Sequence, residues 1–151
     1  MSILIIAENR KAWHDYHILE KYEAGMVLLG SEVKSIRNRQ MQLKDSYISF
    51  RGIEAYLQKA HISEYKQSGQ LGHEPERSRK LLLNQRELKE IYEALREKGL
   101  TCIPLKVYFK EGRVKIEIAV AKGKKAHDKR EAIKKRDASL ELKKTLQRSR
   151  R

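Results

Sequence analysis

The sequence predicts a mainly β protein, an OB-like small antiparallel β-barrel with packed α-helices, followed by a basic C-terminal tail that is disordered when free. Three observations predict it. Segments of alternating character pair up around short Gly-containing turns, one segment alone carries a strong helical period, and the composition changes abruptly near Lys122. Several short strands without repeated strand-helix alternation argue against a parallel α/β sheet. Periodicity alone does not separate an OB-like barrel from other small barrels.

In chain order, Ile3 to Ala7 is the longest clean apolar stretch. It falls far below the roughly 20 residues of a membrane span and lacks the basic leader of a secretory signal, so no membrane partner and a cytoplasmic location are expected. A strand is predicted over Asp15 to Tyr22 and a short helix over Ser31 to Arg37. A hairpin follows, Ser46 to Phe50 and Glu54 to Ile62 around a turn at Arg51 and Gly52. From Gln85 to Lys98, Leu88, Ile91, Tyr92 and Leu95 fall on one helical face. Asn84 and Glu87 form a capping-box start, and Gly99 supplies the stop. The clearest strand pair is Pro104 to Phe109 with Arg113 to Ala121, turning at Glu111 and Gly112. Leu105, Val107 and Phe109 are expected on one face against Val114, Ile116, Ile118 and Val120, with Lys106, Tyr108, Lys110, Lys115 and Glu117 on the other.

These elements assign residues 1–121 to one OB-like barrel and 122–151 to the tail. The tail carries 13 Lys and Arg against 4 Asp and Glu, which is +9 of the formal +14 of the whole chain. Its few large aliphatics form no wide stripe, so it is expected to fold only when a polyanion neutralises it.

A net charge of +14 in 151 residues points to nucleic acid as partner. Basic clusters stand at Asn9-Arg10-Lys11, Arg77-Ser78-Arg79-Lys80 and Lys122-Gly123-Lys124-Lys125. Tyr22, Tyr47 and Tyr108 lie between them as planar groups on which unpaired bases can stack, although any one of them reads equally as a core or rim residue. His14, Asp15 and His17 suggest a metal site, but on a strand the two histidines point to opposite faces, so neither metal nor cofactor is expected. No nucleophile elbow, Cys-based signature or phosphate-cradling Gly loop is present, and catalysis is not expected. Paired carboxylates remain open, with surface solvation as their simpler role. Cys102, the single cysteine, reads as a buried small hydrophobe.

Read in order, the segments Asn9-Arg10-Lys11-Ala12, His14-Asp15-Tyr16, Tyr22-Glu23-Ala24-Gly25, Gly30-Ser31-Glu32-Val33-Lys34-Ser35 and Leu43-Lys44-Asp45-Ser46-Tyr47 resemble the motif series of the small protein B family. Arg77 to Leu83, Pro104-Leu105-Lys106, and Ala121 to Lys125 running into Asp128-Lys129-Arg130 continue it, so the resemblance spans nearly the whole chain. It implies an adaptor, monomeric and without catalytic residues, that binds the tRNA-like domain of transfer-messenger RNA and delivers it to stalled ribosomes. It places Asn9, Glu23 and Leu82 on the RNA-binding surface, with Arg10, Lys11, Lys34, Arg79 and Lys80 as phosphate contacts. Gly123, Lys124, Lys125, His127, Asp128, Lys129 and Arg130 become the segment acting in the small-subunit decoding region. Glu23 either accepts hydrogen bonds from base amino groups or pairs with Lys21 or an arginine to hold the barrel rim. Trp13, His17 and Ala138 depart from the residues often found at their positions. A generic single-strand binder and a hydrolytic RNA enzyme are the rival readings.

Overall fold

The structure, a computed structural model, describes residues 3–64, 73–97 and 99–124. In chain order the elements are β1 (Ile3–Glu8), α1 (Arg10–Asp15), β2 (Tyr16–Met26), α2 (Gly30–Arg37), β3 (Met41–Gln42), β4 (Tyr47–Arg51), β5 (Glu54–Gln58), β6 (His61–Ile62), β7 (Arg79–Leu82), α3 (Gln85–Ala94), β8 (Leu100–Lys110) and β9 (Arg113–Gly123). Seven strands form one sheet in the order β1-β8-β9-β2-β7-β5-β4, with every described pairing antiparallel, and β3 pairs with β6 beside it. The sheet curls until β4 lies against β8. Among the described residues no ladder joins β1 to β4, so the barrel closes by side-chain packing.

Both expected hairpins form, but the strand expected over Glu54 to Ile62 stops at Gln58, where the chain bends at Lys59 (φ 62°), and His61–Ile62 pairs with β3 instead. At the β8–β9 turn Glu111 and Gly112 both have positive φ, 54° and 77°, the type I′ geometry that matches strand twist. At the β4–β5 turn Arg51 pairs with Glu54, so the loop is Gly52 and Ile53 rather than Arg51 and Gly52, and Gly52 takes the positive φ of 60°. The Asn84 capping box is present, with Asn84 Oδ1 accepting from the Glu87 N–H at 2.8 Å. The helix it starts ends at Ala94 instead of Lys98, because Arg96 and Glu97 turn back to carbonyls only three residues away.

Bulges do the curling. The registers slip at Ile6 in β1, Leu19 in β2 and Leu105 in β8, and each extra residue adds local twist and bend. The β8 bulge has a chemical cause: Pro104 has no N–H to give the ladder. It also corrects the expected facing. Leu105 points away from Val107 and joins Ile103, Ala119, Ala121 and Ala12 of α1 in a small outer cluster, whereas Val107, Ile116, Ile118 and Val120 lie in the barrel core. Ala12, Ala119 and Ala121 are small enough to let α1 lie directly on the sheet.

The barrel's open side is fastened by charge. Glu32 of α2 and Arg79 of β7 are both fully buried. Arg79 donates from Nε and Nη2 to Glu32 Oε2 at 2.9 and 2.7 Å, and from Nη1 to the Ala60 carbonyl at 2.8 Å. Arg77 completes the carboxylate's shell at 3.0 and 2.7 Å, and the Leu29 N–H adds a bond of 2.8 Å. Beside it, His73 Nε2 donates to the Ile62 carbonyl and so accepts the Ser31 hydroxyl at Nδ1, both at 2.8 Å. Burial alone would raise the Glu32 pKa, but the bonds from Arg77, Leu29 and Arg79 outweigh it and hold the carboxyl at about 2.

Because the folded pKa lies below the usual 4.5, this group's contribution is fully present above pH 4.5 and lost as pH falls towards 2. Glu32→Gln, which leaves two guanidinium groups facing an amide, should cost about 3 to 5 kcal/mol at neutral pH. In urea titrations the gap between wild type and variant should shrink steadily below pH 4.5; a gap independent of pH would refute this assignment.

Candidate nucleic-acid interface

On β2, Tyr22, Ala24 and Met26 turn into the core, so Lys21, Glu23 and Gly25 must face outward. Their outward neighbours across the sheet are Glu117 and Lys115 of β9, then Lys106 and Tyr108 of β8, then Glu8 and Ile5 of β1. On the other side Gly25 pairs with Leu82 of β7, whose neighbour on that face is Lys80. One continuous outer face thus runs from Lys80 and Leu82, across Gly25 and Glu23, to Lys106 and Glu8.

Leu82 stands 52% exposed over Gly25, its side chain at van der Waals distance from the Cβ position of residue 25. Together with Met26, Leu28, Val33, Phe109 and Val114 they line an open groove of about 350 Å³, flanked by Arg113 and Lys115. An apolar floor with a cationic rim suits a sugar or base face whose phosphates lie on the rim.

Glu23 sits beside this groove, and its carboxylate is held by two side chains of the sheet. The Tyr108 hydroxyl donates to Oε2 at 2.5 Å, and Lys110 Nζ reaches the carboxylate at 3.4 Å. Among the described residues neither Lys21 nor an arginine bonds the carboxylate; the fixing groups come from β8. The Tyr108 hydrogen bond is the main reason that the Glu23 pKa falls below the ordinary value, with Lys110 and Lys115 assisting against the cost of burial. Glu23 is therefore a held anion on a basic face, able to accept from base amino groups.

Asn9 precedes α1 but does not cap it. Its Nδ2 donates to the Pro104 carbonyl at 2.9 Å and its backbone N–H to the Leu105 carbonyl at 2.8 Å, so it staples the chain to the β8 bulge. That staple sets where Arg10, Lys11 and Trp13 stand, all three exposed on α1.

Several expectations need correction. Arg79 has no exposed surface, because its guanidinium is consumed by Glu32 and backbone carbonyls, and it is not a phosphate contact. Tyr22 packs against the core with its hydroxyl on Glu90, and Tyr108 is 4% exposed, so neither offers a stacking face; Tyr47, 42% exposed, does. His14 lies on a helix, so strand parity does not describe its relation to His17; its Nδ1 lies 2.9 Å from Asp15 Oδ1. Lys34 is exposed on α2, and Lys80 pairs with Glu54 at 3.1 Å. Gly123 is the last residue of β9, opposite Tyr16, and the Lys124 N–H bonds the Asp15 carbonyl at 2.8 Å. Lys125, His127, Asp128, Lys129 and Arg130 lie outside the described residues, as does the expected fold-on-binding of the tail. The sequence reading passed over Arg113, Lys115 and Lys110 as contact groups, although their place on the polar side of the last hairpin was visible in the alternation.

Fold and surface together define a small basic barrel protein whose outer sheet face combines a held carboxylate and exposed cations, with an apolar groove at its edge. The family model described as SmpB protein matches residues 6–148. A protein of Bdellovibrio bacteriovorus named SsrA-binding protein is 65% identical over 99% of this chain and 98% of its own length, and one of Carboxydothermus hydrogenoformans with the same name is 56% identical over 94% and 95%. A solved chain described as "tmRNA-SmpB: a journey to the center of the bacterial ribosome" superposes with a TM-score of 0.67 at 45% identity, covering 82% of this chain and 87% of that one. The chain belongs to the SmpB family.

Replacing Tyr108 by Phe removes the bond that most depresses the Glu23 pKa. In that variant the Glu23 carboxyl should titrate at a higher pH in side-chain NMR, with the barrel still folded; an unmoved titration would mean that Tyr108 does not hold it.

Proposed function

We propose that this chain is an RNA-binding adaptor that recognises the tRNA-like domain of transfer-messenger RNA and delivers it to stalled ribosomes. It works by binding rather than catalysis, as a monomer, in the cytoplasm. The observation that carries this is the identity of up to 65%, over essentially the whole length, with relatives named SsrA-binding protein. In this reading the outer sheet face is the RNA surface. Leu82 and the groove beneath it take an unpaired, unstacked part of the RNA, Glu23 accepts from base amino groups, and Arg10, Lys11, Lys34, Lys80, Arg113 and Lys115 meet phosphates. The segment from Lys125 onward acts in the decoding region of the small subunit. Gly123 and Lys124 anchor that segment, since both are bonded to the end of α1 and the start of β2.

The test is a competition between transfer-messenger RNA and a length-matched unrelated RNA at about 150 mM salt, the ionic strength of the cell. A large preference for the former is expected. Leu82→Ala should weaken that binding with a stability change within about 0.5 kcal/mol, because the side chain is half exposed. Lys115→Ala should weaken all RNAs alike and lower the salt slope by about one. Equal binding of both RNAs by the wild type would leave only a generic single-strand binder.

Removing residues 125–151, and no more, should spare RNA binding and abolish peptide tagging on stalled ribosomes. Loss of both in this truncation, which keeps every described pairing of β9, would refute the division of labour between barrel and tail.

A further inference from the structure

A second, smaller pocket of about 180 Å³ lies at the far end of the outer face from Leu82. Its floor is a row across three strands, Glu8, Lys106 and Glu117, in direct cross-strand register. Its wall is the indole of Trp13 on α1, 49% exposed and fixed by the Lys21 ammonium 4.9 Å from the ring centroid. Arg10 stands at the mouth, 91% exposed in its side chain and only loosely paired with Glu8 at 3.7 Å. No hydrogen bond or ion pair engages the Glu117 carboxylate among the described residues.

We infer that this pocket binds an unpaired guanine base, stacked on Trp13 and read by Glu117. An exposed aromatic plane beside cations is the physical requirement for stacking an unpaired base. The choice of guanine follows from hydrogen-bond inventory. A carboxylate can only accept, and it is satisfied best by two adjacent donors. Guanine presents such a pair, N1–H and the N2 amino group, on its Watson–Crick edge; adenine, cytosine and uracil do not. The acceptors O6 and N7 of the same base suit a Lys or Arg donor, and Lys106 and Arg10 supply both types at the pocket. The Asn9 staple keeps α1, and with it the indole, at a fixed height over the charged row.

This inference rests on the proposed RNA-binding function, and it can be tested apart from it because Trp13 is the only tryptophan of the chain. The full chain is titrated with the single-stranded tetranucleotides UUGU, UUAU, UUCU and UUUU while indole fluorescence is followed. Saturable quenching is expected with UUGU at a concentration about tenfold below that needed for the others, the discrimination typical of a good bidentate pair. In Glu117→Gln the quenching should persist while the advantage of UUGU over UUAU falls to about threefold or less. Trp13→Ala, at an exposed position, should keep the fold by circular dichroism and bind UUGU about tenfold more weakly, read by anisotropy of a labelled strand. Absence of saturable quenching, or equal quenching by UUGU and UUAU, overturns the inference. If those failures accompany an intact preference for transfer-messenger RNA, the pocket assignment alone falls; if UUGU binds as expected without that preference, the guanine site stands and the adaptor function falls.

Discussion

Glu32 is the point on which the barrel's geometry depends. A carboxylate removed from water this completely is tolerable only when its lone pairs are filled, and here two guanidinium groups and a backbone N–H fill them. Each donor arrives from a different place: Leu29 from the loop before α2, Arg77 from the segment leading to β7, Arg79 from β7 itself. Arg79 then passes the constraint to Ala60, Pro75 and Glu74 through their carbonyls. One buried anion thereby fixes helix α2, strand β7 and the β5–β6 corner together, at the side of the barrel where sheet pairing is shortest. β7 touches β2 at only two register positions, Gly25 with Leu82 and Met26 with Leu81. Without the ion cluster that short ladder would carry the whole junction, and Leu82, which stands on it, would lose its fixed place on the outer face.

The second constraint is Pro104. Its missing N–H interrupts β8, the bulge follows, and Leu105 rotates to the outer side where Ala12 covers it. The Pro104 carbonyl left at the break is taken by Asn9, and α1 is thereby docked on the sheet. A backbone defect in one strand thus builds the wall of a surface pocket on the opposite side from the core.

What was legible in the sequence was whatever depends on local chemistry. The Glu111-Gly112 turn, the alternation of Arg113 to Ala121 and the Asn84-Glu87 cap are each decided within a few residues, and each is present. What was not legible depends on partners distant in sequence. Arg79 sits in a run of exposed-looking basic residues, and nothing nearby in the chain reveals that Glu32, 47 positions away, draws it inside. Leu105 obeys the alternation until Pro104 breaks it, and the side to which the slip falls is set by Ala119, Ala121 and Ala12. Tyr22 and Tyr108 carried the same letter as Tyr47, yet Glu90 and Glu23 tie down the first two and leave only the third exposed.

The carboxylates Glu23, held by Tyr108 and Lys110, and Glu117, without a bonded partner among the described residues, change how the outer face should be understood electrostatically. If binding needed only charge, Glu23 and Glu117 would be costs, since each repels phosphate on a surface that Lys21, Lys106, Lys110, Arg113 and Lys115 make attractive. Tyr108 and Lys110 nevertheless hold Glu23 ionised and in place. On the proposed RNA face, an anion held on a cationic sheet would give up affinity for any RNA backbone and return it only to a partner offering base amino groups at the right position. In the proposed function, phosphate contacts would register the RNA on the face and the carboxylates would decide which RNA stays. The excess charge of +14 would then set how fast and how salt-dependently RNA arrives, and the proposed discrimination would reside in a few neutral and negative groups that composition alone would dismiss.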